Sequence, residues 1–87
     1  MTSPTKDEVF ALVTGILRSE FGVEETLLRP EALVRDQLDL DSLDAVDLVA
    51  RLEEKTGLRV TGDALANAQT LDDVVRIVRA GLAGSSD

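Results

Sequence analysis

The chain has 87 residues, 44% of them hydrophobic, and a formal net charge of −8 from 17 acidic and 9 basic side chains. It contains no cysteine and no histidine. That excludes disulfide staples, thiolate metal sites, imidazole bases and any Ser-His-Asp or Cys-His catalytic set built from this chain alone.

One small domain over residues 1–87 is what this size allows, and with two phenylalanines as its only aromatics its core must be aliphatic. An acidic surface disfavours nucleic acid and anionic membranes and favours basic protein partners. Met1 to Pro4 shows no basic-then-apolar leader pattern. No apolar run approaches the roughly 18 residues of a membrane span. The expectation is a cytoplasmic monomer without membrane insertion, with residues 1–4 and 84–87 disordered.

Thr5-Lys6-Asp7-Glu8 reads as a capping box that opens a helix to about Glu20. Val9, Phe10, Leu12, Val13, Ile16 and Leu17 recur at helical spacing, Phe21 closes the stripe, and Gly22 is a plausible stop. From Val23 to Leu40 no period of 2 or 3.6 is sustained, and Pro30 interrupts the segment. A loop this long is unusual in a small domain. Its apolar residues, Leu27, Leu28, Leu33, Val34 and Leu38, are spaced to pin it over the helices, with one short turn expected at Glu31 to Val34.

The second helix begins at Asp41-Ser42-Leu43-Asp44. Asp41 is a good N-cap, and Asp44 stands where a capping box takes an acid. This places Ser42 on the first turn with its hydroxyl toward solvent. Stepping about 100° per residue gathers Ala45, Leu48, Val49 and Leu52 on an inner face. Leu43, Val46 and Ala50 gather on a second, smaller apolar face bordered by Asp47, Glu53 and Glu54. A helix needs only one apolar face to fold, so the second is a candidate contact surface. The helix runs to about Thr56, with Gly57 as its stop.

Leu58 and Val60 are expected to dip into the core, and Thr61 to Gln69 holds enough for one or two turns of a short third helix. Thr70 caps a last helix to about Ala83, with Leu71, Val74, Val75, Ile77, Val78 and Leu82 inward and Arg76 and Arg79 outward. Arg79 is expected near enough to the helix end to favour the dipole. The fold class is all-α: a small bundle of three main helices plus one short helix, with a long loop between the first and second helices.

Asp36, Asp39, Asp41 and Asp44 invite a metal test. Counted as a calcium loop from Asp39, position six is Asp44 where glycine is required and position twelve is Ala50 where glutamate is required. The pattern fails, and no metal site is assigned.

In Asp41-Ser42-Leu43, followed by this helix in an acidic chain of this length, the sequence resembles the acyl carrier protein family. The resemblance covers nearly the whole chain. It implies a carrier and not an enzyme, with phosphopantetheine transferred from coenzyme A by a phosphopantetheinyl transferase and attached to Ser42 between Asp41 and Leu43. The arm's thiol holds acyl groups as thioesters in fatty-acid, polyketide or related specialised biosynthesis. Partners would be acyl-processing enzymes such as a ketosynthase, an acyltransferase or a ligase. They would dock through Asp41, Asp44, Asp47, Glu53 and Glu54 around Leu43, Val46 and Ala50. Carriers of fatty-acid type usually have glycine where this chain has Asp39, and more acids than Val60-Thr61-Gly62-Asp63, differences that weaken assignment to primary fatty-acid synthesis and leave room for a specialised acyl pathway. The alternatives are an aminoacyl or peptidyl carrier, against which the acid-rich second helix argues, and an unmodified helical interaction module.

Overall fold

The computed structural model describes residues 5–57 and 62–84. Four helices follow in order: α1 (Lys6–Glu20), α2 (Ser42–Thr56), α3 (Gly62–Ala66) and α4 (Leu71–Gly84), with one 3-10 turn at Glu25–Leu27. The bundle of three main helices and one short helix is the architecture the sequence predicts. The expected entry of Leu58 and Val60 into the core, and the tails expected at 1–4 and 84–87, lie outside the described residues, except Gly84, which belongs to the end of α4.

Local chemistry sets the helix ends. Thr5 and Glu8 form the reciprocal capping box of α1, and left-handed Gly22 (φ 69°) turns the chain away after Phe21. Asp41 and Asp44 form the box of α2, which closes on left-handed Gly57 (φ 72°). Thr70 and Asp73 make the same exchange at α4: the Asp73 amide donates to Thr70 Oγ1 at 3.1 Å, and the Thr70 amide donates to Asp73 Oδ2 at 3.2 Å. Because α4 continues to Gly84, Arg79 falls before its last turn, which holds no basic residue.

The core is aliphatic. Val9, Val13, Ile16 and Leu17 of α1 meet Leu48, Val49 and Leu52 of α2, Leu65 of α3, and Leu71, Val74, Val75 and Val78 of α4. No polar or charged side chain is buried among the described residues.

Residues 23–40 form a packed cover, not a slack connection. Leu28, Ala32, Val34, Leu38 and Leu40 are buried in the core, whereas Leu27 and Leu33, expected to help pin the loop, stay exposed. The expected turn at Glu31 to Val34 is instead two turns. One closes from the Ala32 amide to the Arg29 carbonyl across Pro30, and the other from the Gln37 amide to the Leu33 carbonyl. Gln37 also accepts from the Leu33 amide at 2.7 Å, which fixes where the second turn begins. Main-chain bonds then tie the cover to the start of α4: Val34 to Gln69 at 2.9 Å, Leu71 to Ala32 at 2.9 Å and Asp72 to Pro30 at 2.8 Å. The loop is held where it delivers Asp39, Leu40 and Asp41 to the first turn of α2.

Candidate phosphopantetheine attachment site

The approach to α2 is sharply bent. Asp39 has φ 57°, the sole left-handed residue besides glycine among the described residues. Aspartate tolerates this backbone better than most side chains. The bend lets Leu40 bury itself while its amide donates to the Val34 carbonyl at 3.0 Å. The next residue, Asp41, then stands at the cap.

At the cap, Asp41 Oδ1 accepts from the Asp44 amide at 3.0 Å, and Asp44 Oδ2 accepts from the Asp41 amide at 3.2 Å. Ser42, the first helical residue, is exposed. Among the described residues nothing hydrogen-bonds its hydroxyl, and no acceptor meets the Ser42 or Leu43 amide. Ser19 is a useful contrast, because its hydroxyl is spent on the Gly15 carbonyl at 2.8 Å. A phosphate on Ser42 Oγ would sit at the positive end of α2 beside two unpaired amides, which suits an anion. The residues present fit a phosphodiester.

The two apolar faces of α2 separate as expected. Leu48, Val49 and Leu52 are buried and Ala45 is partly buried. Leu43 is 78% exposed, Val46 56%, and Ala50 is also exposed. The five acids around them are not equivalent. Asp41 and Asp44 are engaged in the cap. Asp47 lies 3.5 Å from Arg51 Nε. Glu53 and Glu54 are exposed and make no ion pair among the described residues. Arg51 is the residue that sequence reasoning missed. Its Nη1 lies 2.5 Å from Glu20 Oε1, and its guanidinium sits 5.8 Å from the centre of the Phe21 ring.

Between α2 and α3 a hollow walled by Leu40, Ala45, Leu48, Leu65, Ala66 and Val74 measures about 20 Å³. That is room for about one water. An acyl chain enters there only if the helices part. No group of three or more acids close enough to hold a metal ion occurs among the described residues. No described helix is long and apolar enough to cross a membrane.

Residues 11–78 match the family model described as the phosphopantetheine attachment site. The chain belongs to the acyl carrier protein family. Acyl carrier protein 2 of Ralstonia nicotianae is 35% identical over 79 residues, covering 91% of this chain and 98% of that one. The meromycolate extension acyl carrier protein of Mycobacterium tuberculosis is 32% identical over 75 residues, which cover 86% of this chain and 65% of that longer protein. The crystal structure of an acyl carrier protein from Thermotoga maritima matches with a TM-score of 0.75 at 23% identity, covering 90% of this chain and 91% of that one, a likeness of fold.

This acyl carrier protein is thus a carrier and not an enzyme, and its cofactor is phosphopantetheine. When bound, the group supplies a terminal thiol that holds acyl groups as thioesters, chemistry a cysteine-free chain cannot offer itself. Carriers of this family are modified by a phosphopantetheinyl transferase and work with acyl-processing enzymes.

Proposed function

We propose that Ser42 is the attachment point, and that the exposed face of α2 is where the transferase and the acyl-processing enzymes dock. The observation that carries the first part is the turn itself: an exposed serine whose hydroxyl has no partner among the described residues, beside two amides equally unpaired there at a helix N-terminus. The chain has no histidine, and among the described residues no side chain is hydrogen-bonded to the Ser42 hydroxyl, so the transferase brings the activating base. Leu43, Val46 and Ala50 offer a small apolar contact, and Glu53 and Glu54 offer charge to a basic partner. Rim charges of this kind raise association rate and orientation more than affinity, which suits a carrier visited by several enzymes in turn. The cytoplasm, as the compartment of coenzyme A chemistry, is the proposed location. Asp39 where fatty-acid carriers usually have glycine favours a specialised acyl pathway served by a ketosynthase, acyltransferase or ligase.

The test is intact mass after incubation with coenzyme A, Mg²⁺ and a broad phosphopantetheinyl transferase. One phosphopantetheine is added to the parent and to Ser19→Ala, and none to Ser42→Ala, whose thermal melt stays that of the parent. An adduct on Ser42→Ala, or none on the parent while a control carrier is loaded, overturns the assignment. For docking, Glu54→Lys lowers transferase kcat/KM at low salt with stability changed by no more than about 0.5 kcal/mol.

A further inference from the structure

We propose that Arg51 biases which basic partners this carrier accepts, by placing a cation beside Asp47 from within the chain. The proposal rests on the docking reading above and refines it. Three contacts hold the Arg51 side chain. Its Nη1 meets Glu20 at the end of α1, its guanidinium lies over the Phe21 ring, and its Nε lies 3.5 Å from Asp47 Oδ1 one turn back on α2. Nε is shut off from solvent and has no hydrogen-bond partner among the described residues. The distance to Asp47 is at the limit of a hydrogen bond, so that link is an electrostatic one.

Stepping 100° per residue places Asp47 on one border of the Leu43–Ala50 stripe, with Arg51 immediately outside it on the side of α1. Glu53 and Glu54 lie further along the helix, exposed and without an ion pair among the described residues. The acids around the stripe therefore divide into one in the middle of α2 that has a cation beside it, though its side chain is 52% exposed, and two near the helix end that have none among the described residues. A basic partner whose cation must reach Asp47 competes with Arg51, whereas one that reaches Glu53 or Glu54 meets no competitor among the described residues. Arg51 shifts the effective docking charge away from Ser42 and toward the C-terminal half of the helix.

The experiment is a double-mutant cycle read as transferase kcat and KM at low and high salt, with the transferase as the basic partner. Asp47→Asn in the parent lowers kcat/KM by less than about twofold. In an Arg51→Gln background the same change lowers it by about three- to tenfold, through KM, because the acid is then open. Arg51→Lys keeps the charge beside Asp47 and restores the small effect. The difference shrinks at high salt, as screening requires. An equal cost of Asp47→Asn in both backgrounds overturns the masking role. If Glu54→Lys also leaves the rate unchanged at low salt, the docking face is wrong and the proposal falls with it. A normal response to Glu54→Lys with no coupling removes Arg51 alone. Thermal melts of each variant identify any loss that comes from unfolding.

Discussion

Asp41-Ser42-Leu43-Asp44 and Thr70-Leu71-Asp72-Asp73 start α2 and α4 with one device, an N-cap oxygen and an acid three residues on that exchange hydrogen bonds with each other's amides. What surrounds the device differs. At α4 the first helical residue is Leu71, 0% exposed, and the amides of Leu71 and Asp72 donate to carbonyls of the first loop. At α2 the first helical residue is Ser42, in solvent, and the corresponding amides are unpaired among the described residues. A capping box thus sets where a helix begins but not whether its end is usable. The loop that covers one helix start leaves the other open, and the open one carries the serine.

The contrast is broken most severely by removing the side chain that seals the covered end. Leu71→Ala should cost roughly 2–5 kcal/mol in a urea or thermal melt, a large share of what so small a domain has. Leu43→Ala, in the matching turn of α2, should cost no more than about 0.5 kcal/mol because its side chain is already exposed. Equal losses would mean the two ends are not differently covered.

A smaller effect sharpens it. Asp41→Ala and Thr70→Ala each remove a cap and should each cost roughly 0.5–2 kcal/mol. Asp41→Ala alone should also slow phosphopantetheine transfer, since only that cap positions Ser42. Equal slowing by Thr70→Ala would trace the loss to global stability instead.

The smallest effect is in acid. The amides of Thr70 and then Gln69 hold the Asp73 carboxyl below its ordinary value of 3.8, helped by the Thr70 hydroxyl and by Arg76. A depressed carboxylate pKa adds stability that is present above the unfolded value and is lost as pH falls through the folded one. Thermal melts of the parent should therefore fall below about pH 4 more steeply than those of Asp73→Asn. Parallel curves would show that the box at α4 gains nothing from ionisation.

Much of this was legible in sequence because it is local. Thr5 with Glu8 and Asp41 with Asp44 are three residues apart, and the inner and outer faces of α2 follow from spacing alone. The left-handed Gly57 was readable from its residue type, whereas the left-handed Asp39 was hinted at only by the glycine that carriers of fatty-acid type usually have there. What was hidden is non-local or belongs to the main chain. Arg51 and Glu20 are 31 positions apart and meet only when α1 and α2 pack. The antiparallel bridge of Leu33 to Thr70 leaves no side-chain signature. The 3-10 turn at Glu25–Leu27 is too short to show a period.

The main-chain bonds from the first loop to α4 bear on how this protein opens. They join residues 34 with 69, 32 with 71 and 30 with 72, and no one of them can part widely while its neighbours hold. Loop and helix start should therefore open as one cooperative unit, and the amides of Val34, Leu71 and Asp72 should exchange with solvent together, at a free energy near that of global unfolding. The amides of Ser42 and Leu43 lie outside that unit and exchange directly from the native state. If Ser42 is the attachment point as proposed, a visiting enzyme finds its turn already open, and the encounter rate carries no waiting time for the fold to breathe.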